Sequence, residues 1–528
     1  MRTELVERTR NGLLYLALVV VCVELTSVSS RAQDESRYYR LETVVSNRAE
    51  TASRDPNWRP DRTGVPLEIG GMVPTADGGL MVAIRRGEIW KIHNPRIEAP
   101  AVLRMTRFAE GLHEPLGLLP LGDDWLVAQR GEVTRLVDRD GDGEADRYLT
   151  WAHGWGVTGN YHEYAYGPQR DGDGRWWITL NVGIGDGAEA HAPYRGWALA
   201  CDETGAWEPM CTGFRSPSGL GTDAAGRMYV TDQQGDWIGT CSLLHLRPGV
   251  FFGHPRGLEA NPHPDATWPT VGEVPSGLTW PEAMQRVKRL QPPAVWFPYK
   301  KAGQSATDIV CDLSDGEFGP FSGQLFVGEF RLSGVLRVAL EEVDGQMQGA
   351  CFPFRSGFAS GVFRLCMTKE GELYAGLTNR GWSSLGDSSY GIQRLEWTGE
   401  TPFEIHHIEA KPYGFDLVLT DDVDAGSLVD SNAIEVSSYT YRLHRTYGSD
   451  EVDGRDCEAR FMVDPHDPRR VQLRVDGLRE LYVHEIRCRG LRSARGEPLL
   501  HPTGFYTLNR IPRTDAPRDT VEPTDREE

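Results

Sequence analysis

Apolar residues along this chain fall in short runs between glycine- and carboxylate-bearing turns, with almost no helical periodicity. Brief β-branched or aromatic runs bounded by such turns predict strands. One unit recurs. A glycine turn followed by an apolar run is written as 77-DGGLMVAI, 122-GDDWLVAQ, 171-DGDGRWWITL, 224-AAGRMYVTD, 322-SGQLFVGE and 370-EGELYAGL. The first apolar residues of the six runs are Leu80, Trp125, Trp176, Met228, Leu325 and Leu373, at separations of 45, 51, 52, 97 and 48 residues. A repeat of roughly 40–50 residues predicts β-propeller blades of four strands each. Residues 65–397 are therefore read as six blades. The long interval is read as an insertion, which holds the Pro- and His-rich 252-FGHPRGLEANPHPDATWP and a short helix near 280-WPEAMQRVKRL. Long loops on a rigid scaffold are where function concentrates.

After Trp397 the pattern becomes two-residue alternation, as in 402-PFEIHHIEA, 414-GFDLVLT, 433-AIEVSSYTYRLH, 470-RVQLRVDGL and 504-GFYTLNRI. About seven short antiparallel strands over residues 402–512 predict an Ig-like β-sandwich. The whole is an all-β chain: a six-bladed β-propeller followed by a C-terminal sandwich. Residues 513–528 are almost devoid of apolar side chains and are expected to be disordered. At the other end, Arg2, Arg8 and Arg10 precede an apolar run from Leu13 to Val23 and a small-residue site at Ser30-Arg31-Ala32. That is the layout of a secretory signal over residues 1–32, followed by an N-terminal extension over 33–64. Cys22 as a lipoprotein cysteine is the alternative, though Val21 before it is bulky for such a site. A periplasmic or secreted protein with no transmembrane segment in its mature chain is expected.

The formal net charge of −20 argues against nucleic acid or anionic lipid as a partner and leaves sugar-like ligands open. The cysteines show no C-x-x-C spacing, so neither a c-type haem nor a zinc ribbon is written here. Cys457–Cys488 is the expected disulfide, with buried free thiols the alternative.

Two stretches carry candidate chemistry. In 138-DRDGDGEAD, Asp138, Asp140 and Asp142 alternate ahead of Gly143, as in the opening of a calcium loop, and Asp146 can close it in place of the missing glutamate at position twelve. A solvated acidic hairpin is the competing reading. In 159-GNYHEYAYGPQRDGDGRWWITL, His162 precedes a blade strand, and imidazole has the pKa for a base near neutrality. The competing reading is a hairpin residue bonded to a neighbouring blade.

In order, 82-VAIRRGEIWKI, 160-NYHEYAYGPQRDGDGRWWITL, 213-GFRSPSGLGTDAAGRMYVTDQQGDW, 324-QLFVGEFRLSGVLRVAL and 369-KEGELYAGLTNRG resemble the soluble glucose/sorbosone dehydrogenase family. Phrases such as 295-VWFPYKKAGQSATDIV and 349-GACFPFRSGF are similar to exported bacterial propellers labelled "membrane-bound dehydrogenase", often joined to cytochrome c domains. The resemblance implies pyrroloquinoline quinone (PQQ) with calcium, and oxidation of a sugar or sugar-derived alcohol. Electrons would leave to an external acceptor such as a cytochrome c. It implies His162 as base and Arg215 as an electrostatic clamp, with Ser216 where the family has asparagine. It also implies Arg331 in place of a cofactor-binding lysine and Arg85 near the first-blade arginine. Gly235 and Asp236 stand in the calcium-holding loop, Asp236 replacing a proline, with Asp232 nearby. Tyr164 stands where the family has glycine. The alternative function is a non-catalytic, calcium-stabilised propeller that binds glycans or a protein partner.

Overall fold

The computed structural model describes residues 35–46, 65–96, 103–185, 192–259 and 271–514. The expected signal sequence and residues 515–528 of the tail lie outside these. Among the described residues, six antiparallel four-stranded blades form a closed ring, five as separate sheets and one as half of a larger sheet. Their innermost strands are Ile69–Pro74, Leu118–Leu121, Ala165–Arg170, Pro217–Thr222, Ala306–Cys311 and Gly361–Met367. The second strands are Leu80–Ile84, Asp124–Ala128, Trp176–Leu180, Met228–Asp232, Leu325–Glu329 and Glu372–Thr378, and these carry the sequence repeat. Neighbouring blades cover both faces of the second strands, and most of them are buried at every position. A strand covered on both sides reads as an unbroken apolar run rather than an alternating one. The turn glycines Gly78, Gly122, Gly174, Gly226, Gly323 and Gly371 all have φ between +60° and +88°, a conformation that favours glycine.

The 97-residue interval is an insertion within blade four. The chain leaves after Ser242–His245, forms the helix Trp280–Arg286 and returns as the outer strand Val295–Trp296. Thr279 and Glu282 close a capping box at the helix start. Two expectations need correction. Residues 33–64 are not merely an extension, because Tyr39–Val45 pairs with Tyr390–Trp397 and supplies the outer strand of blade six. The alternating sequence of that segment needs an edge to pair with, and the last blade offers one. The expected Cys457–Cys488 disulfide is not formed: both thiols are free, and Cys488 is buried in the sandwich core.

The C-terminal strands form two four-stranded sheets around Phe415, Leu417, Leu473, Ile486 and Tyr506. One sheet continues blade five. Strand Thr503–Leu508 pairs with Gln346–Arg355, giving a single eight-stranded sheet across both modules. A second join is made by the insertion, where Leu278–Thr279 pairs with Arg442–Leu443 of the sandwich.

Arg364 fills the axis of the ring. Its guanidinium donates to the carbonyls of Gly70 (2.7 Å), Leu116 (3.3 Å), Ser218 (3.1 Å) and Phe363 (2.8 Å), which belong to blades one, two, four and six. The ring of Tyr166 from blade three lies 4.9 Å from it, and Asp308 of blade five faces its charge. Replacing Arg364 by leucine strands these carbonyls in a buried channel and is expected to destabilise the fold by about 3 kcal/mol or more. Thermal unfolding of the full chain checks this; an unchanged midpoint would refute it.

The amino-terminal strand is tied down by charge. His501 is sandwiched between the carboxylates of Glu404 and Glu35, and Glu35 also meets Arg355 and Ser356. Burial opposes charge on His501, but the two carboxylates raise its pKa. Burial likewise opposes charge on Glu35, and the bonds from His501 and Ser356 lower its pKa. The His501 contribution is therefore complete below about pH 6.5 and is lost as pH rises through the folded value. The Glu35 contribution is present above the ordinary carboxylate range and is lost on acidification. In melting curves from pH 5 to 9, the stability lost on His501→Gln should be largest near pH 5–6 and shrink towards the alkaline end. A difference between the two proteins that does not change with pH would contradict the assignment.

Candidate functional site

In every blade the first strand begins and the second strand ends at the same face of the ring. The residues just after each second strand, and just before each first strand, therefore meet around one mouth. A cavity of ≈310 Å³ opens there, lined among others by Arg85, Tyr161, His162, Tyr164, Arg215, Ser216, Gln233, Gln304, Arg380, Trp382 and Tyr447. Among the described residues its wall contains three arginines and no carboxylate. In a chain of net charge −20, that is a local reversal of sign.

The segment carrying His162 is fixed by side chains beneath it. Arg195, buried, donates to the carbonyls of Gly156, Glu163, Tyr164 and Arg130. Arg130 donates to the carbonyls of Asn160 (3.2 Å) and Tyr161 (2.7 Å), immediately before His162. The Asn160 carboxamide accepts the His162 backbone N–H at 2.9 Å. Burial lowers the His162 pKa; a bond to the Ile184 carbonyl opposes this, and the charges of Arg215 and Arg130 add to it. The imidazole is thus neutral at neutral pH. Its buried Nδ1 has no hydrogen-bond partner among the described residues.

The arginines are held from behind. Glu114 bridges Arg85 and Arg130, and Tyr164 lies between those two guanidiniums, with its ring 5.4 Å and 4.7 Å from them. Arg380 pairs with Glu68 at 2.8 Å. Arg215 Nε donates to Asp236 Oδ1 at 2.6 Å, while Asp236 Oδ2 meets His254 Nε2 at 3.2 Å. Against the burial that would raise it, His254 and Arg215 hold the Asp236 carboxyl well below the usual range. Asp232, buried, accepts the backbone N–H groups of Arg215, Ser216 and Gln233; burial outweighs those bonds and pushes its pKa up to about 6.

The structure brings His162, Arg215 and Arg85 together around the cavity, with Gly235 and Asp236 behind Arg215. A Cβ added at Gly235 would stand 2.0 Å from Arg215 Nε, so the arginine's course requires glycine there. Arg331 is not on the cavity wall. Glu329 accepts the backbone N–H groups of Arg331 and Leu332, curling that turn, and Arg380 of blade six lines the cavity instead. The calcium expected at Gly235 and Asp236 does not fit the donors present. The Gly235 carbonyl already accepts from Gly448 (2.9 Å) and Ile238 (3.2 Å), and both Asp236 oxygens are engaged.

Arg380, Trp382, the glutamines and Tyr447 were not read as site residues from the sequence. Looking three residues past Val230 and Leu377, the last apolar residues of two of the runs, would have found Gln233 and Arg380. Tyr447 comes from the sandwich, and nothing in the repeat points to it.

Away from the mouth, the carboxylates of Asp138, Asp140 and Asp146 lie with one oxygen each within 4.8 Å of one another. Asp142 does not join them; its Oδ1 accepts the Glu144 N–H at 2.9 Å. Asp138 and Asp146 also accept backbone N–H groups of the loop itself. The calcium proposed for this loop predicts that millimolar calcium raises the melting temperature and that Asp140→Asn abolishes the increase. No increase in the wild-type protein would refute it.

A family model described as a domain of unknown function (DUF7133) matches residues 102–250. Among solved structures, the PQQ-bound aldose sugar dehydrogenase of Streptomyces coelicolor is 14% identical, with a TM-score of 0.44 over 68% of this chain and 98% of that one. The pyranose dehydrogenase PQQ domain of Coprinopsis cinerea is 12% identical, with a TM-score of 0.44 over 68% and 95%. The soluble aldose sugar dehydrogenase of Escherichia coli, in its apo form, is 13% identical, with a TM-score of 0.43 over 68% and 99%. No curated protein matches the chain.

Proposed function

We propose that this is an exported, glucose-dehydrogenase-like propeller. It binds a sugar or sugar-derived alcohol in the mouth and oxidises it, with an external acceptor such as a cytochrome c taking the electrons. The observation that carries this reading is the convergence of His162, Arg215 and Arg85 on one cavity walled by guanidinium, amide and aromatic groups. Amides and guanidiniums match the hydroxyl groups of a sugar, and aromatic faces match its C–H faces.

The wall suits the organic part of the expected cofactor better than its calcium. Arg85, Arg215 and Arg380 would hold the carboxylates of PQQ, by charge and paired N–H donors. The quinone, when bound, supplies the two-electron acceptor. The chain's own part is proton handling and positioning. The His162 imidazole, which lines the cavity, would take the substrate's hydroxyl proton. Arg130 and Arg195 fix the loop on which that imidazole rides. Arg215, locked by Asp236, is placed to stabilise an alkoxide as it forms.

A second reading, sugar binding without redox chemistry, is favoured by the filled donors at Gly235 and Asp236. Both readings share the mouth and differ in His162.

Purified protein incubated with PQQ is expected to reduce an electron-accepting dye in the presence of an aldose. His162→Ala should lower turnover about 10²- to 10⁴-fold while leaving sugar affinity within a few fold. Because the folded pKa of His162 is lowered, wild-type turnover should hold through neutral pH and fall only below the ordinary histidine range near 6.5. Full activity in His162→Ala refutes the base assignment. Sugar binding with no dye reduction at any quinone concentration selects the second reading.

A further inference from the structure

Three of the large exposed aromatic or aliphatic side chains border a single opening: Tyr161 (48% exposed), Trp382 (55%) and Tyr447 (59%) all line the mouth. Rings of this size left half in solvent around one cavity mark a place where another surface is expected to sit. Two belong to the propeller. Tyr161 precedes blade three's inner strand, Trp382 follows blade six's second strand, and the Tyr161 hydroxyl lies 3.5 Å from where a Cβ on Gly381 would stand. The third comes from the other module and is carried there by a built connection.

That connection is extensive. Trp237 N–H donates to the His444 carbonyl (2.7 Å), Gly448 N–H to Gly235 (2.9 Å) and Ser449 N–H to Gly239 (2.8 Å). Asp236 and Tyr447 form an antiparallel bridge. The His444 ring shares a bond of 2.6 Å with the Gly448 carbonyl, closing the loop on itself. Below it, Arg442–Leu443 pairs with the blade-four insertion. The loop is thus locked onto the segment that carries Arg215's partner. The Tyr447 ring covers Arg215, its centroid 5.4 Å from the guanidinium carbon, and its other surface faces solvent at the cavity rim. A loop needing only to join two modules could do so through its backbone; a half-exposed aromatic at its tip, beside the base and the arginines, is unnecessary for that.

We infer that Tyr447 forms an outer sugar subsite, so that the mouth takes the end of an oligosaccharide, with one unit in the cavity and the next stacked on the C-terminal module's tyrosine. This rests on the proposed sugar-binding reading and adds to it the chain length of the ligand and the role of the sandwich. The occupant is a glycan rather than an apolar peptide because the same wall carries Gln233, Gln304, Arg380 and Ser216, which would leave an apolar partner facing unmatched polar groups. Tyr447 does not touch the reacting atoms; it sets specificity.

The test is calorimetric titration of the full chain with glucose, galactose and mannose, and with their β- and α-linked oligomers of two to four units. Affinity is expected to rise about three- to ten-fold from one unit to two, as one stacked ring contributes, and then to level off. Tyr447→Ala should abolish that step, the ratio of dimer to monomer affinity falling to about one, and Tyr447→Trp should keep it. Thermal melting should be unaffected in both variants. Equal affinity for monomer and dimer in the wild-type protein overturns the inference while the sugar-binding reading stands. So does a Tyr447→Ala variant that keeps the step or weakens both ligands alike. If no sugar of any length binds, the proposed function fails and the subsite with it.

Discussion

The innermost strand of a propeller blade is an edge strand, and its unpaired backbone groups face the axis. Six such edges meet in one narrow channel here, and Arg364 is the group that reconciles them. Four carbonyls from four blades accept from one guanidinium, while Tyr166 and Asp308 complete its surroundings from the other two. The charge stays buried because its N–H donors are committed to carbonyl oxygens. Arg364 and Leu365 line a second cavity of ≈270 Å³ towards the other end of the axis, while Phe363 lines the mouth. Tyr166 borders both. The arginine layer therefore gives the mouth a floor.

With the floor set, the blades dictate the rest. Strand polarity is the same in all six, so second-strand ends and first-strand starts converge on the mouth, and polar residues at those positions gather there. Glu114, Asp236 and Glu68 sit behind the arginines rather than in the cavity, so the ligand meets cations. The sandwich is more than an appendage. It shares a sheet with blade five, meets the blade-four insertion and lends Tyr447 to the rim.

Much of this was legible in the sequence, for physical reasons that can be named. Turn glycines must adopt positive φ and second strands are covered on both faces, so Gly174 followed by Trp176–Leu180 announces a blade. His162 drew notice as an imidazole ahead of such a strand, and Arg215 through the resemblance carried by 213-GFRSPSG. Arg331 drew notice through the same resemblance, yet Glu329 gathers the local N–H groups and Arg331 is not on the wall. The role of Tyr39–Val45 was missed because a closing strand pairs with residues some 350 positions away and carries no turn motif. Tyr447 and the His501 cluster are likewise products of contacts between modules, which local pattern does not encode.

The central claim is that one mouth, built by both modules, is where the ligand goes. Hydrogen–deuterium exchange of the full chain, with and without PQQ and the tightest-binding sugar, tests this most directly. Protection is predicted in four segments distant in sequence: 158–166, 214–216, 233–237 and 444–449. Protection confined to the 138–146 hairpin, to the cavity beneath Arg364 or to the outer sheet of the sandwich would contradict it.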